Sequence, residues 1–190
     1  AREYFDICAD LLATPLQEAV SQCRARFPPG PGPLHMQGDI HLVLSHRRRR
    51  NLNASCQESA TKTYRETTPE GLVIHMEAPS EEDKSLNRAQ TYDLFEGTRL
   101  IGANSDTTGI VNDGFLTVGA VREADCDITD ERGLIFAISH QHLIRSTRLA
   151  WAITVTSSQS REFDCRVCLW DLGSVYYSKR HLYVAMTRVK

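Results

Sequence analysis

None of the eleven glycines in these 190 residues is followed by lysine. That excludes G-x-x-x-x-G-K-[ST], the loop whose backbone amides cradle nucleotide phosphates. No apolar run ends in Asp-Glu either; Asp130-Glu131 sits in an acidic stretch. The phosphate cradle and magnesium ligand of a P-loop enzyme are thus missing, and the chain alone is expected not to hydrolyse ATP. No apolar run approaches the ~20 residues that span a bilayer. Arg2-Glu3-Tyr4-Phe5-Asp6 interrupts any signal-peptide core, so a soluble, intracellular protein without a membrane partner is expected. Six cysteines, at 8, 23, 56, 126, 165 and 168, are too scattered for a disulfide scaffold and fit a reducing compartment. A net charge of -2 excludes a uniformly basic coat and leaves one local basic cluster, Arg47-Arg48-Arg49-Arg50. There are no internal repeats and no low-complexity segments.

What is present reads as an α/β chain. Residues 4–27 carry apolar residues at three- and four-residue steps, with a possible break at Pro15. Pro28-Pro29-Gly30-Pro31-Gly32-Pro33 follows as a linker. Residues 1–33 are therefore assigned to the tail of a preceding domain. Ile40 to Leu44 reads as a strand, and Ser45 as the cap of a helix reaching about Ser59. Gly71 to Glu77 reads as a second strand, and Ala78 to Asn87 as a charged loop. From Gly97 to Gln141 short apolar pieces recur between turn signals. Asp113-Gly114 is a hairpin signal, Phe115 to Val121 and Leu134 to Ser139 are apolar, and Glu123 to Arg132 reads as an acidic loop. Residues 97–141 are assigned to an inserted small β-barrel, with 34–96 and 142–190 as the α/β body. Leu149 to Thr156 is apolar with undecided periodicity, Val167 to Leu172 reads as a strand, and Lys179 onward as a helix. In that last helix Leu182, Ala185, Met186 and Val189 form one stripe, and Arg188 lies off it, able to reach a partner. The helix stops without a Gly, Asn or Pro to end it, so a fragment of something larger is expected.

Three polar clusters follow or ride on apolar elements: Ser45-His46-Arg47 with Asn53, the stretch from Thr156 to Asp164, and Thr187-Arg188. In an open α/β sheet the ligand crevice lies beyond the carboxyl ends of the strands, so the three are candidates for one site. Hydroxyls and a glutamine suit phosphate and ribose, and an arginine suits a transferring phosphoryl group. Thr154-Val155-Thr156-Ser157-Ser158-Gln159-Ser160-Arg161-Glu162-Phe163-Asp164 resembles motif V of the superfamily 1 helicases, T-V-H-K-S-Q-G-S-E-F. Tyr183-Val184-Ala185-Met186-Thr187-Arg188-Val189-Lys190 resembles their motif VI, Y-V-A-L-T-R-A-K, at the usual spacing. Ile40 to Asn53 is similar to motif IV, and Arg145 to Ala152 is most similar to the RecD, Dda and Pif branch. The resemblance covers about residues 35–190.

It implies a RecA-like domain of the P-loop NTPase type, with a parallel sheet, flanking helices and an inserted small β-barrel. This would be the second motor domain of an ATP-dependent helicase, 5′-to-3′ on DNA in that branch. Its partners would be single-stranded nucleic acid and the N-terminal RecA-like domain of the same protein. ATP and Mg2+ would be held mainly by that missing domain. Arg188 would be the arginine finger. Gln159 and Glu162 would sit at the nucleotide, Arg47 would touch nucleotide or strand, and Thr154, Thr156 and Ser158 would contact the nucleic-acid backbone. The chain departs from motif V where it matters for the site: Ser160 replaces the glycine, Ser157 the basic residue and Thr156 the His or Asp. A glycine lets backbone approach phosphate closely, and serine narrows that approach.

Blander readings stand beside these. Arg188 could be a solvated helix charge, the arginine run a solvated face, and Trp151 a core residue rather than a base-stacking one. Tyr92, Tyr176 and Tyr177 carry no signal above core or surface. Cys165-x-x-Cys168 has no second pair at zinc-finger distance, so small core residues are its default and metal or thiol chemistry the alternative. As a whole the chain could instead be a non-catalytic module that binds nucleic acid or protein on a degenerate RecA-like fold. No metal site is expected.

Overall fold

A computed structural model describes residues 10, 13–27, 40–79, 90–105 and 108–189. The proline-glycine linker, most of the charged stretch after Ala78 and the first residues of the N-terminal helical pattern lie outside the described residues. Two compact units emerge, Ala1–Arg49 with Ile153–Lys190, and Arg50–Ala152.

The first unit is built on a three-stranded sheet of β1 (Ile40–Val43), β9 (Ala152–Thr154) and β10 (Val167–Leu169), in the order β10-β1-β9. All four residues of β1 are buried, as befits a central strand covered on both faces. β1 and β10 run parallel, with Ile40 opposite Val167 and Leu42 opposite Leu169. His41, also buried, accepts a 3.1 Å hydrogen bond at Nδ1 from Trp170 Nε1, which satisfies a polar ring inside the sheet layer. α1 (Leu16–Arg26) begins directly after Pro15, where the sequence signalled a break. It buries Ala19, Val20 and Cys23 in one cluster with Tyr177, Leu182 and Met186. The helix assigned to a preceding domain therefore shares a core with α4 (Lys179–Met186). Burial pushes the Tyr177 phenol above its ordinary range.

α2 (His46–Thr67) starts in this unit and continues in the second. Its first turn is closed by Ser45, whose Oγ accepts from Arg48 N–H at 3.1 Å. It runs past the expected end near Ser59 to Thr67. The arginine run is not a solvated face throughout. Arg47 and Arg50 are exposed, but Arg49 is 1% exposed, and Arg48 reaches Asp171 at 3.3 Å while its guanidinium lies 5.7 Å from the Trp170 ring centroid.

The second unit holds the antiparallel pair β2 (Ile74–Met76) and β3 (Tyr92–Leu94). It also holds a five-stranded sheet of β4 (Arg99–Gly102), β5 (Phe115–Val121), β6 (Asp125–Asp130), β7 (Ile135–Ser139) and β8 (Thr147–Leu149). The order β7-β6-β5-β4-β8 leaves two ends, so the expected barrel is an open antiparallel sheet among the described residues. β8 also lies beyond the 97–141 bound set for the insertion. The expected acidic loop is largely strand β6. Cys126 and Ile128 point into the core while Asp125, Asp127 and Thr129 alternate outward, the period-2 pattern of a half-buried strand. Arg122 pairs with both Asp125 and Asp127, which removes the like-charge cost. Burial pushes the Cys126 thiol up to about 11.

Asp113-Gly114 does make a turn, with Asp113 at φ 60°, but the link between β4 and β5 is longer than a two-residue hairpin. Asp113 N–H donates to Gly102 O at 2.9 Å, and any side chain at Gly102 would collide with the Val111 carbonyl. Buried Arg148 closes the turn from β8, its Nη2 2.6 Å from Asp113 Oδ1. Burial lowers the Arg148 pKa and the Asp113 carboxylate opposes that shift.

The undecided stretch from Leu149 is strand, turn and strand: the end of β8, Ala150-Trp151, then β9. Asn53 holds that turn. Its Nδ2 donates to Leu149 O at 3.0 Å and Ala152 O at 3.1 Å, and its Oδ1 accepts from Ala152 N–H at 2.7 Å. Trp151 is core rather than a stacking platform: 5% exposed, with Nε1 donating to Gln57 Oε1 at 2.7 Å. α3 (His140–Ser146) links β7 to β8, capped by Ser139.

Candidate functional site

The predicted site residues Arg47, Thr154, Thr156, Ser158, Gln159, Glu162 and Arg188 all fall in the first unit. The chain leaves β9 at Thr154 and enters a run of turns to Ser160. Thr154 is buried, and its Oγ1 donates to Ser157 Oγ at 3.0 Å and accepts from Ser157 N–H at 3.1 Å. Ser158 is fully buried and its hydroxyl donates to Val155 O at 2.7 Å. These two hydroxyls are spent inside the turn. Thr156, between them, is exposed, as are Gln159 and Glu162. The turn therefore presents Thr156 and Gln159 and is braced from beneath by Thr154 and Ser158.

Ser160 sits at φ 64°. That is the left-handed region that glycine occupies without cost and that opposes most side chains. The serine thus keeps the backbone path that a motif glycine would give, at the cost of strain. Ser160→Gly is expected to hold or slightly raise stability. Ser160→Val, branched at Cβ, is expected to lower it by about 1–3 kcal/mol. Thermal unfolding of the two variants checks the sign of each.

After Ser160 the chain passes under the end of α4. Phe163, buried, forms a parallel bridge with Val189, and its N–H donates to Arg188 O at 2.7 Å. α4 itself is set by a capping box: Ser178 accepts from His181 N–H, and His181 Nδ1 accepts from Ser178 N–H at 3.1 Å. Leu182, Ala185 and Met186 are its buried stripe, as the spacing predicts. Val189 is not part of it: the helix ends at Met186, and Val189 belongs to the bridge.

Arg188 is half-buried and already engaged, not loose on the helix surface. Nε donates to Val184 O at 3.1 Å, Nη1 to Arg161 O at 3.2 Å and Nη2 to Thr187 Oγ1 at 2.9 Å. A guanidinium has five N–H donors. Three are used, all on neutral acceptors, and among the described residues no carboxylate pairs with it. Its charge is thus oriented but not neutralised, with two N–H groups left for an anion.

The structure brings Arg188 together with the stretch from Arg161 to Phe163. Arg47 lies in the first turn of α2, exposed, after β1. Asn53, grouped with Ser45 and Arg47 by sequence, is a fully buried brace in the other unit. Asp171 was missed by sequence reasoning. It accepts from Leu44 N–H at 3.1 Å and from Arg48, fixing the passage from β1 into α2. A lone aspartate at a strand end gives no signal of such a partner. Cys165 and Cys168 are half-buried, and among the described residues no group of three or more His, Cys, Asp or Glu could hold a metal. No helix of the described residues is long and apolar enough to cross a membrane.

No family model matches the sequence, and no curated protein matches it. Solved structures do match. A Pif1 helicase, from a study of DNA unwinding at forked duplex DNA by two coordinating Pif1 helicases, superimposes at TM-score 0.65 with 17% identity, over 100% of this chain and 45% of that one. Pif1 from Bacteroides, in complex with ADP-AlF3 and single-stranded DNA, gives 0.57 at 15% identity, over 100% and 47%. Pif1 from Candida albicans gives 0.63 at 14% identity, over 100% and 51%. The chain spans about half the length of each of these proteins. At such identities the likeness speaks to architecture. The mixed α/β fold with its parallel sheet is that of the RecA-like part of the Pif1 helicases.

Proposed function

We propose that this chain is the second RecA-like motor domain of an ATP-dependent superfamily 1 helicase that moves 5′-to-3′ on single-stranded DNA. The observation that carries the reading is the state of Arg188: oriented by three neutral acceptors, unpaired with carboxylate among the described residues, and tied to the motif V-like stretch. That is how an arginine must be held to meet the charge on a transferring phosphoryl group. The Bacteroides neighbour, bound to ADP-AlF3 and single-stranded DNA, supports a nucleotide and a strand as ligands.

In this reading a P-loop domain elsewhere in the protein holds ATP and Mg2+. Closure of the two domains completes the site by delivering Arg188 to the γ-phosphate. Gln159 and Glu162, both exposed, would face the nucleotide and the interdomain cleft. Thr156 contacts the strand backbone directly, a contact that positions without reading sequence. Thr154 and Ser158 act one step back, shaping the turn that presents it. Arg47 meets nucleotide or strand from the start of α2.

Residues 1–190 by themselves are expected to show no ATP turnover, with or without single-stranded DNA. Turnover is expected once the segment bearing a P-loop is joined. A steady-state phosphate-release assay decides this. Turnover by the chain alone, abolished by Arg188→Ala, would overturn the reading. A joined protein without a P-loop would support a non-catalytic binding module instead.

A further inference from the structure

Among the described residues the five-stranded sheet of the second unit has two edges, and they differ. β8 is buried along its whole length. β7 is not: Leu134 is 57% and Ile135 69% exposed, and Ala137 and Ser139 are exposed too. Natural edges are blunted by charge, proline or a bulge. Leu134-Ile135-Phe136-Ala137-Ile138-Ser139 has no charge and no proline, and its register with β6 is unbroken from Ser139 to Ile135.

The ladder fixes which backbone groups face outward. Asp130 N–H donates to Leu134 O, and His140 N–H to Ala124 O. In an antiparallel pair the bonded positions alternate. Leu134, Phe136, Ile138 and His140 therefore bond toward β6, and Ile135, Ala137 and Ser139 direct their N–H and C=O groups away from the sheet. The same three side chains lie on the exposed face, while Ile138 is buried.

We propose that β7 is a self-association edge, at which a second copy of this chain adds its own β7 in antiparallel register centred on Ala137. That register places Ala137 opposite Ala137 of the second copy and Ile135 opposite its Ser139, overlapping the whole strand. The central alanines exchange two backbone hydrogen bonds, and each Ser139 N–H donates to the opposing Ile135 carbonyl. The register is its own mirror under a two-fold axis, so the contact closes at two copies. A two-fold axis sets identical residues near one another, which a charged strand would resist; β7 carries no charge. The acidic neighbours Asp125 and Asp127 are already paired with Arg122. Ile135 of each copy gains cover from the facing strand.

The test is sedimentation equilibrium of this chain from about 5 to 200 µM, a range suited to a small contact. The native chain is expected to shift from monomer to dimer mass. Ala137→Pro removes only an outward N–H, a change an edge strand tolerates. It is expected to remain monomeric with unchanged circular dichroism and melting. Ile135→Lys places charge on the same edge and is expected to do likewise, and it carries the test alone if the proline variant melts early. A native chain that stays monomeric throughout overturns the proposal. So does a dimer that persists in the folded variants, or a polymer in place of a closed dimer.

Discussion

Arg188→Ala, made in the chain joined to the P-loop domain that the proposed function calls for, is expected to lower ATP turnover by roughly 10³–10⁵-fold. That corresponds to about 4–7 kcal/mol of transition-state stabilisation. The loss belongs to kcat, because charge on the transferring group develops in the transition state rather than on binding. Arg188→Lys is not expected to rescue it. A lysine ammonium could not reproduce the fork that donates at once to Val184 O, Arg161 O and Thr187 Oγ1 while facing an anion. Both variants also lose the link from α4 to Arg161. Each such hydrogen bond is worth only about 1 kcal/mol, so the fold should survive. Melting temperature measured beside turnover separates the two effects.

Asn53→Leu is expected to be the most damaging substitution for stability among the sites considered. Asn53 is 0% exposed, and its amide satisfies two carbonyls and one N–H of the turn from Leu149 to Ala152. Leucine is close in size but offers no polar atom. Each buried group left unsatisfied costs about 1–3 kcal/mol. Three together should cost about 3–5 kcal/mol, since the turn relaxes in part, and a domain's whole stability is about 5–15 kcal/mol. The melting temperature should fall by about 10 °C. An unchanged melting temperature would show that the turn does not depend on this side chain. The expected loss is structural, so nucleotide chemistry should fall only in proportion to the unfolded fraction.

These two residues also show how far the sequence could be read. Arg188 announced itself through its neighbours Tyr183 to Val189 and through the stretch beginning at Thr154. What holds it did not, because two of its three partners are backbone carbonyls, and a carbonyl has no letter in a sequence. Asn53 stands in a motif IV-like pattern, grouped with Ser45, His46 and Arg47 as one polar cluster of a candidate site. Its burial depends on β8 and β9, some hundred residues later in the chain. β5 was legible to the residue, Phe115 to Val121, because apolar residues are bounded there by Asp113-Gly114 and a charged run. β6 was not. Its acidic outward face hid the alternation of Cys126 and Ile128, and only the pairing with Arg122 makes that face tolerable. The last turns of α2, past Ser59, were missed because their inner stripe is partly polar: Thr61 is buried there. Ser160 concealed a left-handed backbone that glycine would have declared.

The most direct measurement is the affinity of the chain, joined to the P-loop domain that the proposed function calls for, for ADP and for ADP with aluminium fluoride, the transition-state mimic bound by the Bacteroides neighbour. An arginine that meets only the transferring group contributes to the second and not the first. In Arg188→Ala the ADP affinity should stay within about twofold of native, and affinity for the mimic should fall at least about 100-fold. Equal losses for both ligands, or no loss for either, would contradict the account.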